Sequence, residues 1–141
     1  MLIENGKALL IKRGSEPLLG QWSIPGGTLE LGETILEGVA RELLEETGII
    51  VRVLDLIEVF ERINPYFPPE SRGASRPRFH FVIVDYICEK ISGETKAGGD
   101  AVDVAYVSEE DLPKFGLTEA ATRVLRKAFA MDRTRRSSAG A

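Results

Sequence analysis

The stretch Gly26-Gly27-Thr28-Leu29-Glu30-Leu31-Gly32-Glu33-Thr34-Ile35-Leu36-Glu37-Gly38-Val39-Ala40-Arg41-Glu42-Leu43-Leu44-Glu45-Glu46-Thr47-Gly48-Ile49 decides how this chain is read. Glu33 to Thr47 has helical periodicity, and Gly48 is a natural C-terminal stop. At about 100° per residue, Ile35, Leu36, Val39, Ala40, Leu43 and Leu44 cover one broad arc, expected to be the buried face. Glu42 and Glu46 lie about 40° apart, and Glu45 lies roughly 60° from Glu42 on its other side. Three carboxylates therefore crowd one face, expected to point away from the core. Like charges at this spacing cost a helix a few tenths of a kcal/mol per pair. Gly38, one turn earlier on the same face, costs about 1 kcal/mol against Ala. Helix stability selects neither feature. Hard oxygen donors with space before them suit Mg²⁺ or Mn²⁺. A plain solvated acidic face is the competing explanation, and the wider spacing separates the two.

The rest of the chain sets the frame. Its 141 residues match one domain with one core. Hydrophobic residues make up 43%, which excludes a wholly disordered chain. No apolar run approaches the roughly 18 residues of a membrane span, and no secretory signal pattern opens the sequence. A cytoplasmic protein with no membrane partner is the expectation. The single cysteine, Cys88, excludes an intramolecular disulfide framework, and the single histidine, His80, excludes a multi-His zinc site. Charge is uneven: 18 basic against 22 acidic residues overall, but six basic and one acidic in 123–141, leaving 12 basic and 21 acidic in the body. An acidic body argues against nucleic acid as a partner. It also repels any phosphate-bearing substrate unless a cation stands between them.

Ile3 to Arg13 reads as a hairpin turning at Asn5-Gly6, with Ala8-Leu9-Leu10-Ile11 as a strand buried on both faces. Only Met1-Leu2-Ile3 precede the turn, so either the first strand is stunted or the chain starts late. Leu18 to Gly27 is loop and short strand. Ile49 to Glu61, Phe79 to Lys90 and Ala101 to Val107 are expected strands, and Glu109 to Lys114 a helical turn. Asn64 to Arg76, with Pro65, Pro68, Pro69 and Gly73, is a long loop of the kind that is often functional. Thr118 to Met131 is expected to be an amphipathic helix capped by Thr118, giving one domain over 1–131 and a basic, frayed tail over 132–141. The class is α/β, a mixed sheet with helices on both sides.

Gly27, five residues, Glu33, seven residues, and then Arg41-Glu42-Leu43-Leu44-Glu45-Glu46-Thr47-Gly48-Ile49 matches the Nudix box at every defined position. At average residue usage, a chance match at one site is on the order of 10⁻⁹. The chain thus resembles the Nudix (MutT-like) hydrolases, and the resemblance covers most of Leu9 to Phe129. Phe79-His80-Phe81-Val82-Ile83-Val84-Asp85-Tyr86, Gly98-Gly99-Asp100-Ala101 and Leu117-Thr118-Glu119 are similar to the ADP-ribose pyrophosphatase branch, on weaker markers. Pro65, sixteen residues after Ile49, points the same way.

The resemblance implies a Nudix α/β/α sandwich, its mixed sheet flanked by the box helix and the C-terminal helix. It implies hydrolysis of a nucleoside diphosphate linked to another group, with Mg²⁺ (or Mn²⁺) neutralising charge and activating water. That resolves the charge puzzle: the acidic face binds metal and metal binds substrate. Glu42, Glu45 and Glu46 are the implied ligands with the Gly26 carbonyl; Glu45 or Glu46 is alternatively the base. Arg41 and Glu33 would pair to hold the loop on the helix, although Glu33 also suits a first-turn carboxylate favoured by the helix dipole. Asp100 and Asp103 are candidates to complete the site from a distant loop, or else stabilise their own turn. Arg13 is a candidate phosphate contact, and Tyr66 and Phe67 are candidate adenine-stacking groups. The expected substrate is a small nucleotide derivative, ADP-ribose first, cleaved to AMP and ribose 5-phosphate. The alternatives are a MutT-like nucleoside triphosphate pyrophosphohydrolase and a non-catalytic nucleotide sensor. Homodimers are common among the proteins it resembles, and no residue here specifies one.

Overall fold

The computed structural model describes residues 1–15, 18–64 and 79–139. Six strands and two α-helices follow in the order β1 (Ile3–Glu4), β2 (Lys7–Arg13), β3 (Trp22–Ser23), α1 (Ile35–Thr47), β4 (Ile49–Asn64), β5 (Phe79–Gly93), β6 (Ala101–Ser108), a 3₁₀ segment (Glu109–Phe115) and α2 (Glu119–Ala139). β2 is the centre. Along one edge it pairs antiparallel with β6, and along the other with β1 at its start and β3 at its end. β4 and β5 form a long antiparallel ribbon. A parallel bridge from Leu2 to Cys88 joins the ribbon to the sheet, supported by the Cys88 N–H donating to the Met1 carbonyl at 2.8 Å. The result is the expected mixed arrangement.

Alternation along β2 builds two cores. Ala8 and Leu10 face one way, packing with Ile57, Ile87, Val124, Leu125 and Phe129. Leu9 faces the other way, with Leu43, Ile49, Val51 and Cys88. The first core lies under α2 and the second under α1, so the helices cover opposite faces. Leu9, Leu10 and Ile11 are all at most 1% exposed, each stabilising the fold by about 1.5–3 kcal/mol. The hairpin turn forms because Asn5 (φ 53°) and Gly6 (φ 74°) both adopt the left-handed conformation.

Three expectations change. α1 begins at Ile35, because Thr34 is its N-cap: the Thr34 Oγ1 accepts from the Glu37 N–H at 3.2 Å. Glu33 therefore precedes the helix and is not a first-turn residue. Second, Ile35, Leu36 and Leu44 are 41%, 48% and 48% exposed, and the buried residues of α1 are Gly38, Leu43, Glu46 and Thr47. The helix meets the sheet along a narrower stripe, with Val39, Ala40 and Leu43 inward. Third, α2 continues through Ala139 where a frayed tail was expected from 132 onward. Ion pairs hold that extension: Arg133 with Glu109 at 2.9 Å, Arg135 with Asp55 at 3.3 Å and Arg136 with Asp132 at 2.9 Å. No helix among the described residues is long and apolar enough to cross a membrane.

Candidate active site

The site grows from the C-terminal half of α1 and the loop before it. Gly48 (φ 77°) ends the helix, its N–H donating to the Leu44 carbonyl at 3.0 Å. Two more terminal carbonyls are met by the β5–β6 loop: the Gly98 N–H donates to Glu46 O at 3.2 Å and the Lys96 N–H to Thr47 O at 2.8 Å. The Gly14 N–H in turn donates to the Asp100 carbonyl at 2.7 Å. The end of β2, the Asp100 loop and the helix end are thereby tied together.

The Gly26–Gly27 loop lies directly on the carboxylates. The Gly26 N–H donates to Glu46 Oε1 at 2.8 Å. A Cβ on Gly27 would come within 2.4 Å of Glu42 Oε1, so any larger residue would push that carboxylate aside. Gly38 has the same reason: a Cβ there would meet Leu29 Cδ2 at 2.4 Å and Glu33 Oε1 at 2.9 Å. The helix-weakening glycine makes room for the loop.

Arg41 organises the rest. Its Nε donates to Glu33 Oε2 at 2.6 Å and its Nη2 to Glu33 Oε1 at 2.9 Å, a bidentate fork. Nη2 also donates to the Thr28 carbonyl at 3.1 Å. Nη1 donates to Glu42 Oε1 at 3.0 Å and Glu45 Oε2 at 3.1 Å, with Glu30 at 3.7 Å. The guanidinium holds the Glu33 carboxyl below its ordinary range, and these carboxylates hold Arg41 more firmly protonated than usual.

Glu46 differs from its neighbours. It is 3% exposed, whereas the Glu45 side chain is 50% exposed. Burial pushes its carboxyl up to about 7; the Gly26 N–H opposes that shift, the Glu42 carboxylate adds to it, and the Arg13 charge opposes it. The expectation that all three carboxylates avoid the core is corrected here. Glu46 falls within about 20° of Val39 on the helical wheel, which puts it on the inward stripe.

The other candidates are placed as follows. Arg13 ends β2 within electrostatic reach of Glu46. Asp100 sits in the loop bonded to the helix end. Asp103 pairs with Lys12 across β2–β6, on the sheet side shared with Leu10 and Ala105, opposite to α1. Its Oδ1 accepts from the Val104 N–H at 2.8 Å. The structure therefore groups Gly26, Glu33, Arg41, Glu42, Glu45, Glu46 and Arg13, brings Asp100 alongside, and leaves Asp103 on the other face. Tyr66 and Phe67 lie outside the described residues. The sequence reading missed the backbone groups of the site, namely the Gly26, Lys96 and Gly98 N–H groups and the Thr28 carbonyl, because backbone groups carry no side-chain signal.

The donor set fits a hard divalent cation: carboxylate oxygens on adjoining positions of one helix, one of them buried against the Gly26 loop.

Residues 1–128 match the NUDIX domain family. The chain belongs to the Nudix family. This Nudix domain is 40% identical over 111 residues to an ADP-ribose pyrophosphatase of Methanocaldococcus jannaschii, covering 79% of the chain and 60% of that protein. The chain thus spans about three-fifths of that relative's length. It is 32% identical over 136 residues to the nucleoside triphosphatase NudI of Escherichia coli K12, covering 89% of the chain and 90% of that protein. A MutT NUDIX hydrolase from Burkholderia pseudomallei has the same fold, with a TM-score of 0.71 and 29% identity, covering 89% of this chain and 91% of that one.

Proposed function

We propose that this Nudix domain is a Mg²⁺-dependent pyrophosphohydrolase that cleaves ADP-ribose to AMP and ribose 5-phosphate. The observation that carries the reading is the packing of Glu42 and Glu46 on the end of α1 against the Gly26–Gly27 loop, with Glu45 beside them on Arg41, locked by the Glu33–Arg41 fork. The similarity to the Methanocaldococcus ADP-ribose pyrophosphatase supports the substrate.

Glu42, Glu45, Glu46 and the Gly26 carbonyl would hold the metal. When bound, the cation neutralises the pyrophosphate charge and lowers the pKa of a water nucleophile. Glu45 or Glu46 is alternatively the base that takes the proton from that water. Arg41 and Glu33 orient the carboxylates. Arg13 is proposed to contact a substrate phosphate, and Asp100 is proposed as the loop carboxylate that completes the site. Tyr66 and Phe67 are proposed to stack on the adenine.

Hydrolysis of a nucleoside triphosphate is the second reading. NudI favours it, because its match runs nearly the length of both proteins, whereas the ADP-ribose pyrophosphatase match does not. Both readings use the same carboxylates and differ in how the base is held, which the fold leaves open.

A panel of ADP-ribose, NADH, diadenosine polyphosphates and ordinary and oxidised nucleoside triphosphates, each with Mg²⁺ and with EDTA, tests the proposal. Preferential, EDTA-sensitive release of AMP from ADP-ribose is expected. Preference for a triphosphate would transfer the reading to the second activity, and turnover unaffected by EDTA would sink the metal site.

A further inference from the structure

Arg41 has more partners than a brace requires. Nε and Nη2, on Glu33 and the Thr28 carbonyl, are enough to fasten the loop to the helix. Nη1 is used elsewhere, between Glu42 Oε1 at 3.0 Å and Glu45 Oε2 at 3.1 Å. These are two of the carboxylates read above as metal ligands. Glu45 is held toward the guanidinium, while Glu46 is turned to the Gly26 N–H at 2.8 Å. Glu42 and Glu45 thus share one donor, Nη1, while Glu46 takes the Gly26 N–H and lies beside Glu42. A divalent ion drawing Glu42 and Glu45 together would stand against the guanidinium, and two cations competing for the same oxygens repel.

We propose that Arg41 Nη1 is the resident counter-cation of the metal-free site, and that a divalent ion enters by exchange. The ion takes Glu45 and the facing oxygen of Glu42 from Nη1, while Nε and Nη2 stay on Glu33 and Thr28. Arg41 is then a positioning residue with two separable tasks on two faces of one guanidinium: a permanent brace and a displaceable placeholder. The placeholder keeps an acidic cluster compact before metal arrives. The inference rests on the metal-site reading given under Proposed function.

The two members of the fork give opposite expectations. Removing Arg41 removes the competitor, so metal binds more tightly. Removing the charge of Glu33 frees the guanidinium for Glu42 and Glu45, so metal binds more weakly. The test is titration of Mn²⁺ alone into the metal-free protein, following free Mn²⁺ by electron paramagnetic resonance, for the parent, Arg41→Gln and Glu33→Gln. Arg41→Gln is expected to tighten Mn²⁺ binding by about threefold or more, the scale of one or two partly exposed ion pairs. Glu33→Gln is expected to weaken it by a similar factor. Affinity unchanged or lowered in Arg41→Gln overturns the exchange and leaves Arg41 a brace alone. Should Arg41→Gln fail to fold, nitrogen resonances of ¹⁵N-arginine in the parent protein decide. On adding Mg²⁺ the Arg41 Nη1 signal is expected to move and Nε to stay, and an unmoved Nη1 overturns the proposal. Absence of any Mn²⁺ binding by the parent overturns both this proposal and the metal-site reading, whereas binding without the opposite responses overturns this one alone.

Discussion

Glu46 Oε1 accepts a hydrogen bond from the Gly26 backbone N–H at 2.8 Å, joining a buried carboxylate to the loop twenty residues earlier. Glutamine at this position keeps an acceptor for that bond and loses the charge. Glu46→Gln is therefore expected to fold normally and to lose turnover by at least about 10²-fold. The measurement is steady-state rate beside far-ultraviolet circular dichroism. Near-parental turnover would remove Glu46 from the machinery.

The same burial makes stability depend on pH. Glu46 titrates ordinarily at 4.5 and, in the folded metal-free protein, at about 7. Between those values the folded state holds a proton that the unfolded chain releases. Its contribution is full below the lower value and is lost as pH rises through the upper one. In EDTA the Glu46 contribution is expected to lower the melting temperature between about pH 4.5 and about pH 7, with a shallower slope in Glu46→Gln. Equal slopes in the two proteins would show that Glu46 does not set the trend.

Gly27 is a test of the close approach. A methyl group there would meet the Glu42 carboxylate, the movable end of a flexible side chain. Gly27→Ala is expected to displace that carboxylate and weaken Mn²⁺ binding by about tenfold, on the scale of disturbing a metal-orienting contact. Its melting temperature should stay close to the parent's. A variant that melts much lower and binds Mn²⁺ normally would assign Gly27 to the fold instead.

Leu43 and Leu44 are adjacent and differ sharply, at 2% and 48% exposure. Leu43→Ala is expected to cost about 2–5 kcal/mol, and Leu44→Ala under about 1 kcal/mol. Chemical denaturation of both variants checks the assignment of the inward stripe, and equal losses would contradict it.

Much of this was legible in the residues. The Asn5-Gly6 hairpin, the four-residue apolar strand after it, the Gly48 stop and the Thr118 cap all rest on local rules, and the structure follows them. The Glu33–Arg41 pairing was implied by the family resemblance and stands as a bidentate fork. What escaped depends on tertiary placement. Leucine and isoleucine periodicity drew the buried face of α1 too wide, because the first turn of the helix is only partly covered. The same error hid the burial of Glu46, which the wheel places beside Val39. Asp103 was grouped with Asp100 by proximity in sequence. Strand alternation separates neighbours two faces apart, and it put Asp103 beside Lys12 instead. The length of α2 was underestimated because its last turns are held by ion pairs to distant acidic residues, which no local signal shows.

The hydrogen bonds from Lys96 and Gly98 to the end of α1, together with the bond from Gly14 to Asp100, give the β5–β6 connection the character of a splice. A surface loop is ordinarily the first choice for an affinity tag, a domain insertion or new termini. In this protein such surgery between Glu94 and Asp100 would leave the strands paired and the helix folded, yet let the helix end slide against β2. The engineer would obtain a protein with an intact spectrum and a misaligned centre. The tip of the first hairpin, at Asn5-Gly6, is the safer place to cut.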